Sequence, residues 1–278
     1  MPELPEVETI KESMRKSLAD ATINSAKVYN RSLRQPVPDN FEKIVCKAKI
    51  CRIYRIAKYA LWELDNNYSI IWHFGMSGKV KISDIMPDAL EKHDHIVITT
   101  SKGILIYNDP RRFGLVTIVK TSQLRENPLF KNLGLDPFDD KLTADYLESK
   151  LKYKKVPIKL SLLDQSIICG IGNIYASEAL YGAKISPLRP GNSLTLKERA
   201  NLIESVRIIL KKAIAAGGST LHDYKKPDGD IGYFQLQHSV YGKEGQQCPS
   251  GCKGKKCGGI VKIIQGGRST FYCPHLQK

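Results

Sequence analysis

Four groups of residues in this chain combine types and spacings that chemistry requires. The first is the opening stretch MPELPEVETIKESMRKSL. Removal of Met1 ahead of a small residue would leave Pro2 with a free secondary amine, and an α-amino pKa of roughly 7.7 to 8.0 keeps a useful fraction neutral. Such an amine can attack a sugar C1′ and form an iminium without metal or cofactor, while Glu3 protonates the opening sugar as a general acid. A structural account fits the same residues: Pro5 suits a first helical turn, and Glu3, Glu6 and Glu8 lie favourably near a helix N-terminus. The second group is RIAKY, residues 55–59, which places Lys58 in a predicted strand, either as a solvated edge residue or as a cation aimed at a site.

The third group is two loops. In WHFGMSG, Met76 between two glycines is either a packed turn residue or an apolar wedge of the kind inserted into a base stack. In NDPRRFG, Arg111 and Phe113 form a polar turn, or else pair a phosphate-binding arginine with a ring for stacking. The fourth group is Cys248, Cys252, Cys257 and Cys273, crowded into the last 31 residues, with His275 as a fifth candidate ligand. Tetrahedral zinc needs four such ligands, and in a reducing compartment the cluster reads as a metal site before a disulfide framework. A weaker signal is GIGNIYA, residues 170–176: it lacks the third glycine of a dinucleotide fingerprint, but a glycine turn before a helix, with Asn173, can contact phosphate.

These groups need elements to hold them. Leu4, Val7, Ile10, Met14 and Leu18 repeat at steps of three and four and predict a helix from near Glu3 to Leu18. Segments 50–64, 69–74, 79–82, 95–100, 104–107 and 115–119 are rich in β-branched and aromatic residues and predict strands of a sandwich or barrel. Residues 127–140 read as a linker, after which the period becomes helical at 144–152, 157–163 and 174–181. Thr195 and Glu198 form a capping box for a helix that Gly217 and Gly218 end. Gly266 and Gly267 predict a hairpin turn that presents Arg268. The fold class is therefore α+β, with expected segments at 1–130, 131–241 and 242–278.

The 278 residues carry 43 Lys and Arg against 28 Asp and Glu, a net charge of +15. A surplus of that size points to a polyanionic partner. Nucleic acid is favoured over lipid, since no helix has a mainly Lys and Arg polar face, and no run of 18 apolar residues predicts a membrane span. No signal-peptide pattern is present, so a cytoplasmic monomer is expected. Seven Lys and Arg against one Glu lie in residues 242–278, a basic tail suited to phosphate.

Taken in order, PELPEVE, RIAKY, HFGMSG, KHDH, DPRRFG, GIGNIYASEAL, GGSTLHDY, VYGKEG and GRSTFYCP closely resemble the helix-two-turn-helix, zinc-finger family of bacterial formamidopyrimidine-DNA glycosylases. The resemblance implies an N-terminal β-sandwich with flanking helices, a helix-two-turn-helix domain and a zinc-finger-like hairpin. It implies a bifunctional glycosylase and abasic-site lyase acting on double-stranded DNA that carries 8-oxoguanine or formamidopyrimidines. Pro2 would be the Schiff-base nucleophile, Glu3 the acid, Lys58 a participant in glycosidic attack and β-elimination, and Arg268 a phosphate grip that assists δ-elimination. His93, Arg111, Lys154 and Asn173 would contact DNA. Met76, Arg111 and Phe113 would fill the gap left by the extruded nucleotide, and residues 219–241 would contain the loop that covers it.

The finger departs from the family's Cys-x2-Cys-x16-Cys-x2-Cys pattern, because the first pair is stretched by an insertion and Leu276 takes the last position. Four thiolates, Cys248, Cys252, Cys257 and Cys273, would then hold one structural Zn2+, with a His275-containing set or a metal-free hairpin as alternatives. Two other functions compete: an endonuclease VIII-like enzyme for oxidised pyrimidines, and a zinc-ribbon DNA-binding protein without catalysis. The DPRRFG loop and long covering segment favour the purine branch, and the zinc ribbon gives no reason for PELPE together with Lys58.

Overall fold

Leu4, Val7, Ile10, Met14 and Leu18 form the buried face of α1 (Leu4–Leu18) in the computed structural model, which describes residues 2–218, 237–249 and 257–278. Pro5 stands in the first turn, where its missing N–H costs nothing, and the Glu6 carboxylate accepts the Glu3 amide at 2.9 Å. Trp62 reaches α1 from a strand, its Nε1 3.4 Å from the Met14 sulfur.

Two four-stranded antiparallel sheets follow. One has the order β1-β6-β7-β5, from β1 (Ile23–Val28), β5 (Lys79–Ser83), β6 (Asp94–Thr100) and β7 (Gly103–Asn108). The other has the order β2-β3-β4-β8, from β2 (Ile50–Ile56), β3 (Tyr59–Leu64), β4 (Tyr68–His73) and β8 (Leu115–Lys120). A single buried cluster joins α1, both sheets and the short α2 (Phe41–Val45), with Phe41, Trp62, Trp72, Ile98 and Leu105 at its centre. The expected sandwich is present. Segment 50–64 is a hairpin, not one strand, so the expectation that Lys58 lies in a strand is overturned: Ala57 and Lys58 are its turn, with Ala57 at φ 51.

Residues 2–131 and 214–218 make one compact unit; 132–213, 237–249 and 257–278 make a second. The second contains α3 (Ala144–Leu151), α4 (Ile158–Leu163), α5 (Asn173–Gly182) and most of α6 (Leu196–Ala215), plus the hairpin β9 (Val261–Gln265) and β10 (Arg268–Tyr272). The predicted capping box forms, Thr195 and Glu198 exchanging backbone and side-chain bonds at 2.8 and 3.3 Å, and α3 has a cap the sequence reading did not name, the Tyr146 amide donating to Thr143 Oγ1. Gly266 and Gly267, at φ 55 and 72, make the two-residue turn that a right-twisted hairpin favours. The fold is mixed α+β, and among the described residues no helix is long and apolar enough to cross a membrane.

Candidate active site and nucleic-acid contacts

In the first unit, Pro2 is buried and Glu3 is 3% exposed, both at the entry to α1. Lys58 is 9% exposed in the β2–β3 turn. One guanidinium joins the two places: Arg55 donates from Nε to Glu8 of α1 at 2.8 Å and from a terminal nitrogen to the Ala57 carbonyl at 2.9 Å. Lys11 pairs with the same Glu8 at 2.6 Å. Charge-assisted bonds of this kind are roughly twice as strong as neutral ones, so the helix start and the lysine turn are held in one geometry. Gly218 closes on the same region, since a Cβ there would lie 3.0 Å from Glu6 Oε1.

Met76 and Phe113, 38% and 46% exposed, sit on two loops that touch each other. A Cβ on Gly75 would fall 2.4 Å from the Phe113 backbone, and one on Gly114 would fall 1.7 Å from the Tyr107 hydroxyl. The Arg111 guanidinium lies 4.7 Å over the Phe113 ring. Beneath them, the fully buried Asp109 carboxylate accepts from Ser77 Oγ at 2.6 Å, the Gly114 amide at 2.7 Å and the Tyr107 hydroxyl at 3.2 Å. Burial first, then the Asp109 charge and hydrogen bond, push Tyr107 well above its ordinary range, so it stays a donor. His73 Nδ1 accepts the Gly75 amide at 3.1 Å. Its pKa is lowered to about 4, by burial first and then by the positive charges of Arg34 and Lys58. A cavity of about 290 Å3 lined by Arg34, His73, Met76 and Phe113 opens beside the loops. His93 is half-buried before β6, its carbonyl accepting the Asp109 amide at 3.0 Å.

In the second unit, Asn173 opens α5 and donates to the Ser269 carbonyl at 2.9 Å, next to the exposed Arg268 at the start of β10. Lys159, which sequence reasoning missed, is fully buried and donates to Asn173 Oδ1, the Ser269 carbonyl and Thr270 Oγ1 at 2.7, 2.9 and 2.6 Å. One ammonium thus holds Asn173 against the stretch of β10 that follows Arg268. Gln165 brackets the glycine turn, donating to the Ile171 carbonyl at 2.9 Å and accepting the Gly170 amide at 2.8 Å. Lys154 stands elsewhere in this unit, paired with Asp164 at 2.9 Å.

The sulfurs of Cys248, Cys257 and Cys273 lie within 4.8 Å of one another, Cys257 and Cys273 at 3.6 Å. Zinc–sulfur bonds of about 2.3 Å set a tetrahedral edge of about 3.8 Å, so these three can hold a metal ion. Leu276 packs against the cluster, and His275 is exposed. Cys252 and residues 219–236 of the predicted covering loop lie outside the described residues.

Two family models match: the formamidopyrimidine-DNA glycosylase N-terminal domain over residues 1–116 and its H2TH domain over residues 133–225. The formamidopyrimidine-DNA glycosylases of Zymomonas mobilis and Rickettsia africae are each 44% identical, covering 100% of this chain and 100% and 99% of theirs. A solved complex of Lactococcus lactis Fpg with DNA containing an abasic site is 33% identical, with a TM-score of 0.88 and 99% of each chain covered. A mutant of that enzyme bound to Fapy-dG DNA matches at a TM-score of 0.89, with 33% identity and full coverage of both chains.

Proposed function

Because the chain belongs to the formamidopyrimidine-DNA glycosylase family, we propose that it removes oxidised purines, 8-oxoguanine and formamidopyrimidines, from duplex DNA and then cleaves the strand at the abasic site. Pro2, freed by removal of Met1, attacks C1′ of the damaged nucleotide; the base leaves, Glu3 protonates the opening sugar, and an iminium joins Pro2 to C1′. The iminium makes the C2′ protons acidic, so the 3′ and then the 5′ phosphate depart by β- and δ-elimination without water attacking phosphorus. Lys58 takes part in glycosidic attack and β-elimination, and Arg268 grips the flanking phosphates. His93, Arg111, Lys154 and Asn173 contact DNA, while Met76, Arg111 and Phe113 fill the vacated stack.

The observation that supports this reading most is the Arg55 bridge, which ties α1, the helix that Pro2 and Glu3 lead into, to the turn bearing Lys58. Segments 1–130, 131–241 and 242–278 divide the work as catalytic domain, DNA-binding domain and hairpin. The enzyme works as a monomer in the cytoplasm, at the nucleoid when on DNA. Zinc is the ion we assign to the sulfur cluster, held by Cys248, Cys257, Cys273 and Cys252, with His275 as the alternative fourth ligand. Its contribution is to fix the basic hairpin.

Borohydride reduction during reaction with an 8-oxoguanine duplex tests the chemistry. A covalent protein–DNA adduct is expected with the parent and none with Pro2→Gly. No adduct from the parent refutes the lyase, and a strong preference for thymine glycol duplexes transfers the enzyme to the pyrimidine branch.

A further inference from the structure

Three polar side chains of α5, at positions 173, 178 and 181, reach the C-terminal hairpin and the chain that leads into it. Asn173 takes the Ser269 carbonyl, and the Glu178 carboxylate accepts the amides of Ser239, Val240 and Tyr241 at 2.8, 2.9 and 2.8 Å. The third contact is of a different kind. Tyr181 is 6% exposed, and its hydroxyl lies 3.1 Å from the Cys248 sulfur. Tyr181, Val240, Cys248, Ile260, Phe271 and Cys273 form one buried cluster, with Cys257 and Leu276 against it.

We propose that Tyr181 is a positioning residue of the sulfur site, donating a hydrogen bond to the Cys248 thiolate and retaining the metal ion there. The inference rests on the reading of the cluster as a metal centre. Its physical basis is that a metal-bound thiolate keeps excess negative charge, and a phenol is the stronger donor of this pair. Tyr181 and Cys248 are each 6% exposed, so that bond forms away from bulk water. Leu276 occupies the place where the family's pattern puts its last cysteine, so it adds packing without donating to a metal. The oriented hydroxyl then holds Cys248 in ligating geometry from outside the coordination sphere.

Cobalt(II) in place of zinc, in the full-length protein, provides the test. The parent should show a sulfur-to-cobalt charge-transfer band. Tyr181→Phe keeps the ring and removes only the donor, so it should move that band to lower energy and release zinc to a chromogenic chelator about tenfold faster, the loss expected for a hydrogen bond to a charged group. Val240→Ala loosens the same cluster while removing no hydrogen-bond donor to a sulfur, and should leave the band energy unchanged. A parent without the band refutes the metal centre and this inference with it. A band unmoved by Tyr181→Phe, zinc release within twofold of the parent, or an equal shift in Val240→Ala refutes the inference alone.

Discussion

Asp109→Asn is the sharpest perturbation of the loops that carry Met76 and Phe113. The carboxylate is fully buried, and its two short bonds, 2.6 Å from Ser77 and 2.7 Å from Gly114, belong to the two loops that present Met76 and Phe113. An amide of the same shape keeps an oxygen for Gly114 and Tyr107 only by turning its NH2 toward Ser77 Oγ, which already accepts the Arg111 amide at 3.2 Å. Removing the charge halves two strong bonds, about 1 kcal/mol each, and the displaced serine hydroxyl adds a fraction more, for a total of about 2–3 kcal/mol. At about 2–4 °C per kcal/mol for a chain of this size, Tm should fall by about 5–10 °C. Calorimetry reads that shift, and fluorescence anisotropy with abasic-analogue and undamaged duplexes reads the function. Preference for the abasic duplex should fall roughly tenfold, the equivalent of about 1.4 kcal/mol. A variant that melts within 1 °C of the parent and keeps its preference would show that Asp109 does not lock the loops.

Two further outcomes follow from buried groups. His73 is neutral in the fold with a pKa of about 4, against an ordinary 6.5, so the unfolded chain gains a proton first as pH falls. Its contribution is complete above pH 6.5 and is lost between 6.5 and 4, up to about 3 kcal/mol. His73→Asn, which keeps an acceptor for the Gly75 amide, should flatten urea-denaturation stability across pH 7 to 4.5; an unchanged pH slope contradicts the assignment. Glu198, held at about 2 first by its hydrogen bond from Arg189, acts only between about 4.5 and 2 and does not blur the result. Lys159→Met strips three acceptors of one buried donor and should cost about 3–5 kcal/mol in denaturant unfolding, with weaker binding to every duplex. Parent-like stability and affinity would remove Lys159 from the account of Asn173 and the hairpin.

What the sequence made legible was whatever declares itself by local spacing. The 3.6-residue period of α1, the Thr195 and Glu198 box and the paired glycines before Arg268 each state their conformation within a few residues. Segment 50–64 misled because its turn contains neither glycine, asparagine nor proline. Ala57 takes a left-handed φ of 51, a conformation unfavourable for a residue with a Cβ, and Arg55 caps its carbonyl from two residues away. Lys58 thus leaves the strand for a turn tied to α1, a placement that depends on Glu8, 47 residues away from Arg55 in sequence. The strand β1 escaped because Asn24, Ser25 and Lys27 break up its apolar residues, and α2 because five residues are too few to show a helical period; both are set by packing against the core.

The same division runs through the candidate site. Met76, Arg111, Phe113 and Arg268 are exposed and stand in motifs, so residue type alone marked them as able to meet a partner. The groups that aim them are buried and chemically ordinary in sequence: Asp109 under the loops, His73 behind Gly75, Lys159 between Ile158 and Leu160, Tyr181 in a helix of apolar neighbours. Nothing local distinguishes a lysine that reaches solvent from one that closes three hydrogen bonds in the interior; only the acceptors, up to 111 residues away, do so. Loops that present exposed side chains to a ligand have few apolar contacts of their own, so buried polar bonds must supply their rigidity. Loss of function in this protein should therefore come as readily from those buried donors and acceptors as from the exposed residues they hold.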